Sequence, residues 1–176
     1  DSDGRTIQYL YDGLDRLTKC TVLQDGKEIL STGQSYNLAG QIEDQYWTVD
    51  GKTYWREYAY DEAPVKYAEG LLVGMRNEIG DELEFQYDDL ERLTKMDSGV
   101  TSQAYTYAQN TSGNETTRIK EYVAKFGSNV VWSSEFTYDD AGNITKETGT
   151  AGTWRYFYDT QGQLTEATNG TVTYTF

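Results

Sequence analysis

The sequence predicts an all-β fold, an antiparallel meander of hairpins laid side by side in chain order. Three observations predict it. A phrase recurs: Tyr9 to Cys20 reads YLYDGLDRLTKC, Phe85 to Met96 reads FQYDDLERLTKM, Phe136 to Glu147 reads FTYDDAGNITKE and Tyr156 to Ala167 reads YFYDTQGQLTEA. Glycine-bearing pairs of residues stand between the copies. The composition is that of strands and turns, with 16 Tyr, 4 Trp, 5 Phe and 17 Gly but one Pro among 176 residues; aromatic side chains suit a pleated surface and Gly suits its turns.

The elements follow in order. After an opening Asp3-Gly4 turn, Arg5 to Tyr11 ends in Tyr9-Leu10-Tyr11, and aromatics at i and i+2 point to one face of a strand. Asp12 opens the next turn, because its carboxylate accepts a backbone N–H two residues on. Leu17 restarts the buried face, and Asp25-Gly26 supplies the positive φ of a two-residue hairpin. A looser copy, Ser35 to Glu43 (SYNLAGQIE), carries Asn37 in place of Asp and restarts at Ile42. Asp50-Gly51 turns the chain again. A two-residue turn there sets Trp47 opposite Tyr54 and Tyr46 opposite Trp55, the densest aromatic cluster in the sequence.

Tyr60 and Asp61 open the next copy, with extra residues before the apolar stretch Leu71 to Met75. Ile79-Gly80, the Tyr87-Asp88 copy and Ser98-Gly99 come next. Tyr105 to Ala108 (YTYA) opens as the others do and again has extra residues before Ile119 to Val123. Phe126-Gly127, Tyr138-Asp139, Ala151-Gly152, Tyr158-Asp159 and Asn169-Gly170 complete the alternation, and the chain ends at Tyr174-Thr175-Phe176. This makes about fifteen strands and about seven repeats, recurring every ~20–30 residues, in a single array over 1–176. The start at a Gly turn and the stop before an expected Asp point to a piece excised from a longer chain.

Within the copies, Tyr11, Tyr60, Tyr87, Tyr138 and Tyr158 are expected at equivalent strand ends, mostly buried. Gly142 and Gly162 take a left-handed turn position; Asp15 and Glu91 stand where those glycines do, which predicts a different geometry for their turns. Arg16 and Arg92 are placed to meet turn carboxylates as surface ion pairs of small worth.

The net charge of −14 and the pI of about 4.3 disfavour nucleic acid and anionic membranes as partners. No apolar run is long enough for a transmembrane helix. Cys20, the single cysteine, has no internal disulfide partner and reads as a small strand residue. The absence of histidine excludes Ser-His, Cys-His and His-ligated metal sites. Asp88-Asp89 and Asp139-Asp140 are the candidate carboxylate pairs, but both lie in repeat turns where solvated aspartates are the rule. Asp1-Ser2-Asp3-Gly4 starts like a calcium loop and lacks its remaining ligands. The sequence therefore predicts no enzyme, no cofactor and no metal. The sequons at Asn110, Asn114, Asn143 and Asn169 bear on function only in a eukaryotic secretory setting.

The phrases YDGLDRLTKC, YDDLERLTKM, YDDAGNITKE and YDTQGQLTEA resemble the YD repeat of the RHS family, which includes bacterial polymorphic toxins, insecticidal toxin-complex components, wall-associated proteins and animal teneurins. The resemblance covers essentially the whole chain. It implies a long β-strip that curves or spirals into a hollow shell, secreted or on the cell surface of a bacterium. The family's core-ending DPxGL-like motif, with its autoproteolytic aspartates, is not found. The expectation is thus a wall segment, partnered by other repeats or an enclosed cargo domain. The alternative is a glycan- or protein-binding module using surface aromatics such as Trp47, Trp55, Trp132 and Trp154. The terminal strands Arg5 to Tyr11 and Thr171 to Phe176 are expected to expose edges, inviting edge-to-edge association.

Overall fold

The computed structural model describes residues 4–61 and 70–176. The start of the first Asp-Gly turn, the calcium-loop-like Asp1-Ser2-Asp3 and most of the extra residues after Asp61 lie outside that range. Among the described residues every regular element is a strand. They are β1 (Arg5–Tyr11), β2 (Leu17–Gln24), β3 (Lys27–Tyr36), β4 (Ile42–Val49), β5 (Lys52–Tyr60), β6 (Leu72–Asn77), β7 (Glu82–Tyr87), β8 (Leu93–Asp97), β9 (Thr101–Gln109), β10 (Glu115–Phe126), β11 (Asn129–Tyr138), β12 (Ile144–Gly149), β13 (Gly152–Tyr158), β14 (Leu164–Thr168) and β15 (Thr173–Thr175). Strand order equals chain order. The expected all-β meander is the observed fold.

The chain divides into two compact units, Asp1–Glu84 and Phe85–Phe176. In the first, β1 through β6 pair antiparallel with their sequence neighbours, and β6 pairs with β7. In the second, β8 through β15 do the same. The Asp-Gly turns have the expected form: Asp25 and Gly26 stand at φ 51° and 77°, Asp50 and Gly51 at 50° and 79°. Positive φ at both central residues matches the right-handed twist of the flanking strands.

The fold buries little. Ala167 is the single buried hydrophobic side chain among the described residues, and the other buried side chains are Thr21, Ser31 and Ser134. Polar acceptors run through the aromatic face. Glu147 accepts from Ser134 (2.6 Å) and from the Tyr156 hydroxyl (3.1 Å), while Ser31 donates to Glu28 (2.6 Å). All five repeat tyrosines end their strands, as expected; Tyr60, Tyr87, Tyr138 and Tyr158 are largely covered, and Tyr11, 59% exposed, departs from the expected burial.

A second departure concerns the turns of Asp15 and Glu91. They do not differ from the glycine turns. Asp15 (φ 59°) and Glu91 (φ 61°) adopt the left-handed conformation that Gly142 and Gly162 adopt at 95° and 79°. Asp15 donates its backbone N–H to Asp12 and Glu91 to Asp88, as Gly142 does to Asp139. The capped turn overrides the side chain's own preference.

The extra residues before Ile119 also resolve differently. β9 runs on past Tyr107 to Gln109, the turn sits at Asn110, and β10 starts at Glu115. The surplus is absorbed as register shifts along β10, not as a longer loop.

Candidate functional site

Repeat after repeat builds a similar local machine, and its parts are the residues of the recurring phrase. The second aromatic sits at a β-bulge, the register slipping at Leu10/Tyr11, Ser35/Tyr36, Ala59/Tyr60, Thr137/Tyr138 and Phe157/Tyr158. A bulge bends the strand and re-aims the side chain beyond it. There the phenol reaches back to the preceding repeat and donates to a backbone carbonyl. Tyr36 donates to Leu17, Tyr60 to Ile42, Tyr107 to Leu93, Tyr138 to Ile119 and Tyr158 to Ile144, at 2.6–2.9 Å. Burial pushes the Tyr60, Tyr138 and Tyr158 hydroxyls above their ordinary 10.0, keeping them neutral donors.

The turn Asp is a backbone cap. Asp12 Oδ1 accepts from Leu14 and Arg16, Asp88 Oδ1 from Leu90 and Arg92, and Asp159 Oδ1 from Gln161 and Gln163. Asp139 accepts from the Asn143 backbone and, through Oδ2, from its side-chain amide. The Arg16 backbone N–H holds the Asp12 carboxyl below its ordinary 3.8, and the Asn143 amide does the same for Asp139. Of the candidate carboxylate pairs, Asp88 and Asp139 are thus turn caps, and Asp89 and Asp140 are exposed.

The arginines link repeats. Arg16 pairs with Asp12 at 2.7 Å and lies over the Tyr36 ring at 4.3 Å. Arg92 pairs with Asp88 (2.7 Å) and Glu115 (3.0 Å) and lies over Tyr107 at 4.4 Å. The expected ion pairs form, and each also clamps the tyrosine of the next repeat. Sequence reasoning missed Arg118, which covers Tyr138 at 5.7 Å from a strand without the Arg-Leu-Thr phrase. It also missed the Asn77 and Asn110 caps, whose Oδ1 atoms accept from two backbone N–H groups each, as Asp does. Asn37, a cap in the looser copy, was legible from its place in the phrase.

The surface aromatics fall into separate places. Trp47 stands opposite Tyr54 and Tyr46 opposite Trp55, as the two-residue turn requires. Trp47 and Tyr54 stack at 5.9 Å and 15°. Tyr46 lies over Gly33, where any Cβ would overlap its ring, and Arg76 lies over Trp55 at 5.9 Å. In the second unit Trp154 stacks on Tyr174 at 6.1 Å, while Trp132 is 43% exposed and donates its indole N–H to Ser134. Two grooves open between successive turns, one of about 1030 Å³ beside Tyr36, Tyr58 and Tyr60, the other of about 560 Å³ beside Tyr107, Phe136 and Tyr138. Cys20 is a free, half-exposed thiol.

Residues 138–172 match the family model described as RHS Repeat. No curated protein matches the chain. Among solved structures, the chain is similar to one in the Photorhabdus luminescens Tc holotoxin pore, at 15% identity and a TM-score of 0.35 over 96% of this chain. It is also similar to one in the crystal structure titled TcdB2-TccC3-TEV, at 13% identity and a TM-score of 0.36 over 93% of this chain. The chain spans 11% and 12% of those two chains.

Proposed function

We propose, taking as premise that residues 138–172 are an RHS repeat, that the chain is a wall segment of an RHS-type β-shell, without catalysis of its own. One observation carries this reading: in repeat after repeat, the side chains that look chemical are engaged in holding repeats together. The turn aspartates cap backbone, and the arginines and tyrosine hydroxyls bind the neighbouring repeat. Little is left over to act on a substrate. In this reading the array belongs to a longer bacterial protein, secreted or on the cell surface, where it encloses or presents a toxin or other cargo domain. Neighbouring repeats would continue the sheet at β1 and β15.

The test is protection of cargo. In the parent protein, deleting this array should leave the enclosed domain open to protease; unchanged resistance would refute the wall reading. The second reading, a glycan-binding module, is favoured by the exposed Trp132 face. Tryptophan fluorescence titrated with a glycan panel separates the two. A flat response is expected of a wall, and a saturable quench lost in Trp132→Ala would favour the module.

A further inference from the structure

We propose that the outer end of β11, Asn129–Trp132, is a self-pairing edge through which two copies of this chain associate. The observation is an overhang inside the sheet, independent of its two terminal strands. β10 is paired on both sides along its outer end, with β9 as far as Phe126 opposite Thr101 and with β11 as far as Phe126 opposite Asn129. β12 meets β11 only from Ser134 inward, the last contacts being Thr150 with Ser133. Residues 129–132 of β11 therefore have a paired strand on one side and none on the other.

On β13, where pairing with β14 begins at Arg155, the Trp154 ring of the overhang stacks on Tyr174; the comparable overhangs on β3 and β5 are blunted by charge. On β3, pairing with β4 begins at Leu30, and the free residues Lys27 and Glu28 are exposed charges. On β5, pairing with β6 begins at Arg56; Lys52 charges the free end, and the Trp55 backbone N–H is taken by Glu78 at 3.3 Å. Charged side chains are how proteins keep sheet edges from pairing. β11 has none. Phe126 to Ser134 reads FGSNVVWSS, nine residues without a charge in a chain of net −14. Val130, Val131 and Trp132 are 52%, 54% and 43% exposed, and Phe126 and Val100 beside them are each 58% exposed.

These features commit the occupant to a second copy. An uncharged, β-branched edge is complementary to itself, and antiparallel pairing about a two-fold axis places Val131 near its own image. Approach at this tip also brings no carboxylate of residues 126–134 against its image, since that stretch has none.

The experiment is sedimentation equilibrium of the intact chain at low salt and at about 0.5 M salt, where the charge repulsion is screened. A reversible dimer is expected, tighter at high salt. Val131→Lys should weaken it at least about tenfold, because the two-fold sets like charges side by side. Val131→Thr should keep it. Ile7→Lys, on the terminal edge strand β1, should leave it unchanged, and circular dichroism checks that every variant keeps its sheet. A strict monomer overturns the proposal. So does a dimer that survives Val131→Lys, or one lost instead with Ile7→Lys, which would place association at the terminal edge.

Discussion

In five of the repeats the tyrosine hydroxyl, that of Tyr36, Tyr60, Tyr107, Tyr138 or Tyr158, is bonded to a carbonyl that belongs to the repeat before it. Removing one such hydroxyl deletes a hydrogen bond of net worth about 1 kcal/mol. Tyr138→Phe, which frees the Ile119 carbonyl, should therefore lose about 1 kcal/mol in urea unfolding. Tyr11→Phe should change nothing measurable, because Tyr11 is exposed and precedes every acceptor of this kind in the chain. Equal losses would show that the hydroxyl ladder is not what the rings contribute. Phe176 occupies the second aromatic position of a Tyr-x-Tyr phrase and has no hydroxyl. At Glu91, a left-handed φ is imposed on a residue that disfavours it by about 1–2 kcal/mol. Glu91→Gly relieves that strain and costs some chain entropy, so a net gain of up to about 1 kcal/mol is expected from the same measurement.

At the scale of elements, the turns and the strand crossings carry the specificity. Gly149 closes β12 where any Cβ would run into the Ser133 carbonyl of β11. Gly149→Ala should cost about 1–3 kcal/mol, the range for forcing atoms into an occupied site, and a loss below about 0.5 kcal/mol would contradict that close approach. The turn caps set an acid limit. Asp12 and Asp139 have folded values below their ordinary 3.8, so their stabilisation is present above that pH and is lost as the pH falls below it. The tyrosines set an alkaline limit: Tyr60, Tyr138 and Tyr158 are raised above 10.0 by burial, so their stabilisation is present below that pH and fades as the pH rises through the raised values. Stability followed by circular dichroism should hold a plateau between these limits. A decline beginning near neutrality would point to other groups. The strands and glycine hairpins were legible in the sequence because period-two alternation and Asp-Gly pairs are local signals. The Asn77 and Asn110 caps were not, because no Tyr-Asp phrase with the Arg-Leu-Thr run marks their turns. Arg118 was hidden by the register shifts along β10, which no local pattern announces.

For the molecule as a whole, the absence of a conventional core changes how stability is distributed. With Ala167 the single buried hydrophobic side chain among the described residues, no central cluster unites distant strands. Among the repeat tyrosines the expected burial fails at Tyr11, in the first strand: sequence shows which residues share a face, not how far their neighbours cover it. Stabilities of such arrays are sums of repeat and nearest-neighbour terms. Tyr60→Phe and Tyr158→Phe should thus add within about 0.5 kcal/mol when combined, and a larger discrepancy would reveal long-range coupling.

The backward reach of each tyrosine has a consequence for how such chains change over generations. Every tie is made to the adjacent copy by a residue of the same phrase, so nothing in the pattern counts how many copies there are. A duplication or loss of one whole phrase leaves every junction with the partner it needs. A gain of half a phrase does not, because it hands a tyrosine to a neighbour that has no bulge and no carbonyl waiting. Length is therefore free to drift in whole steps, while the content of each step is held by the copies on either side.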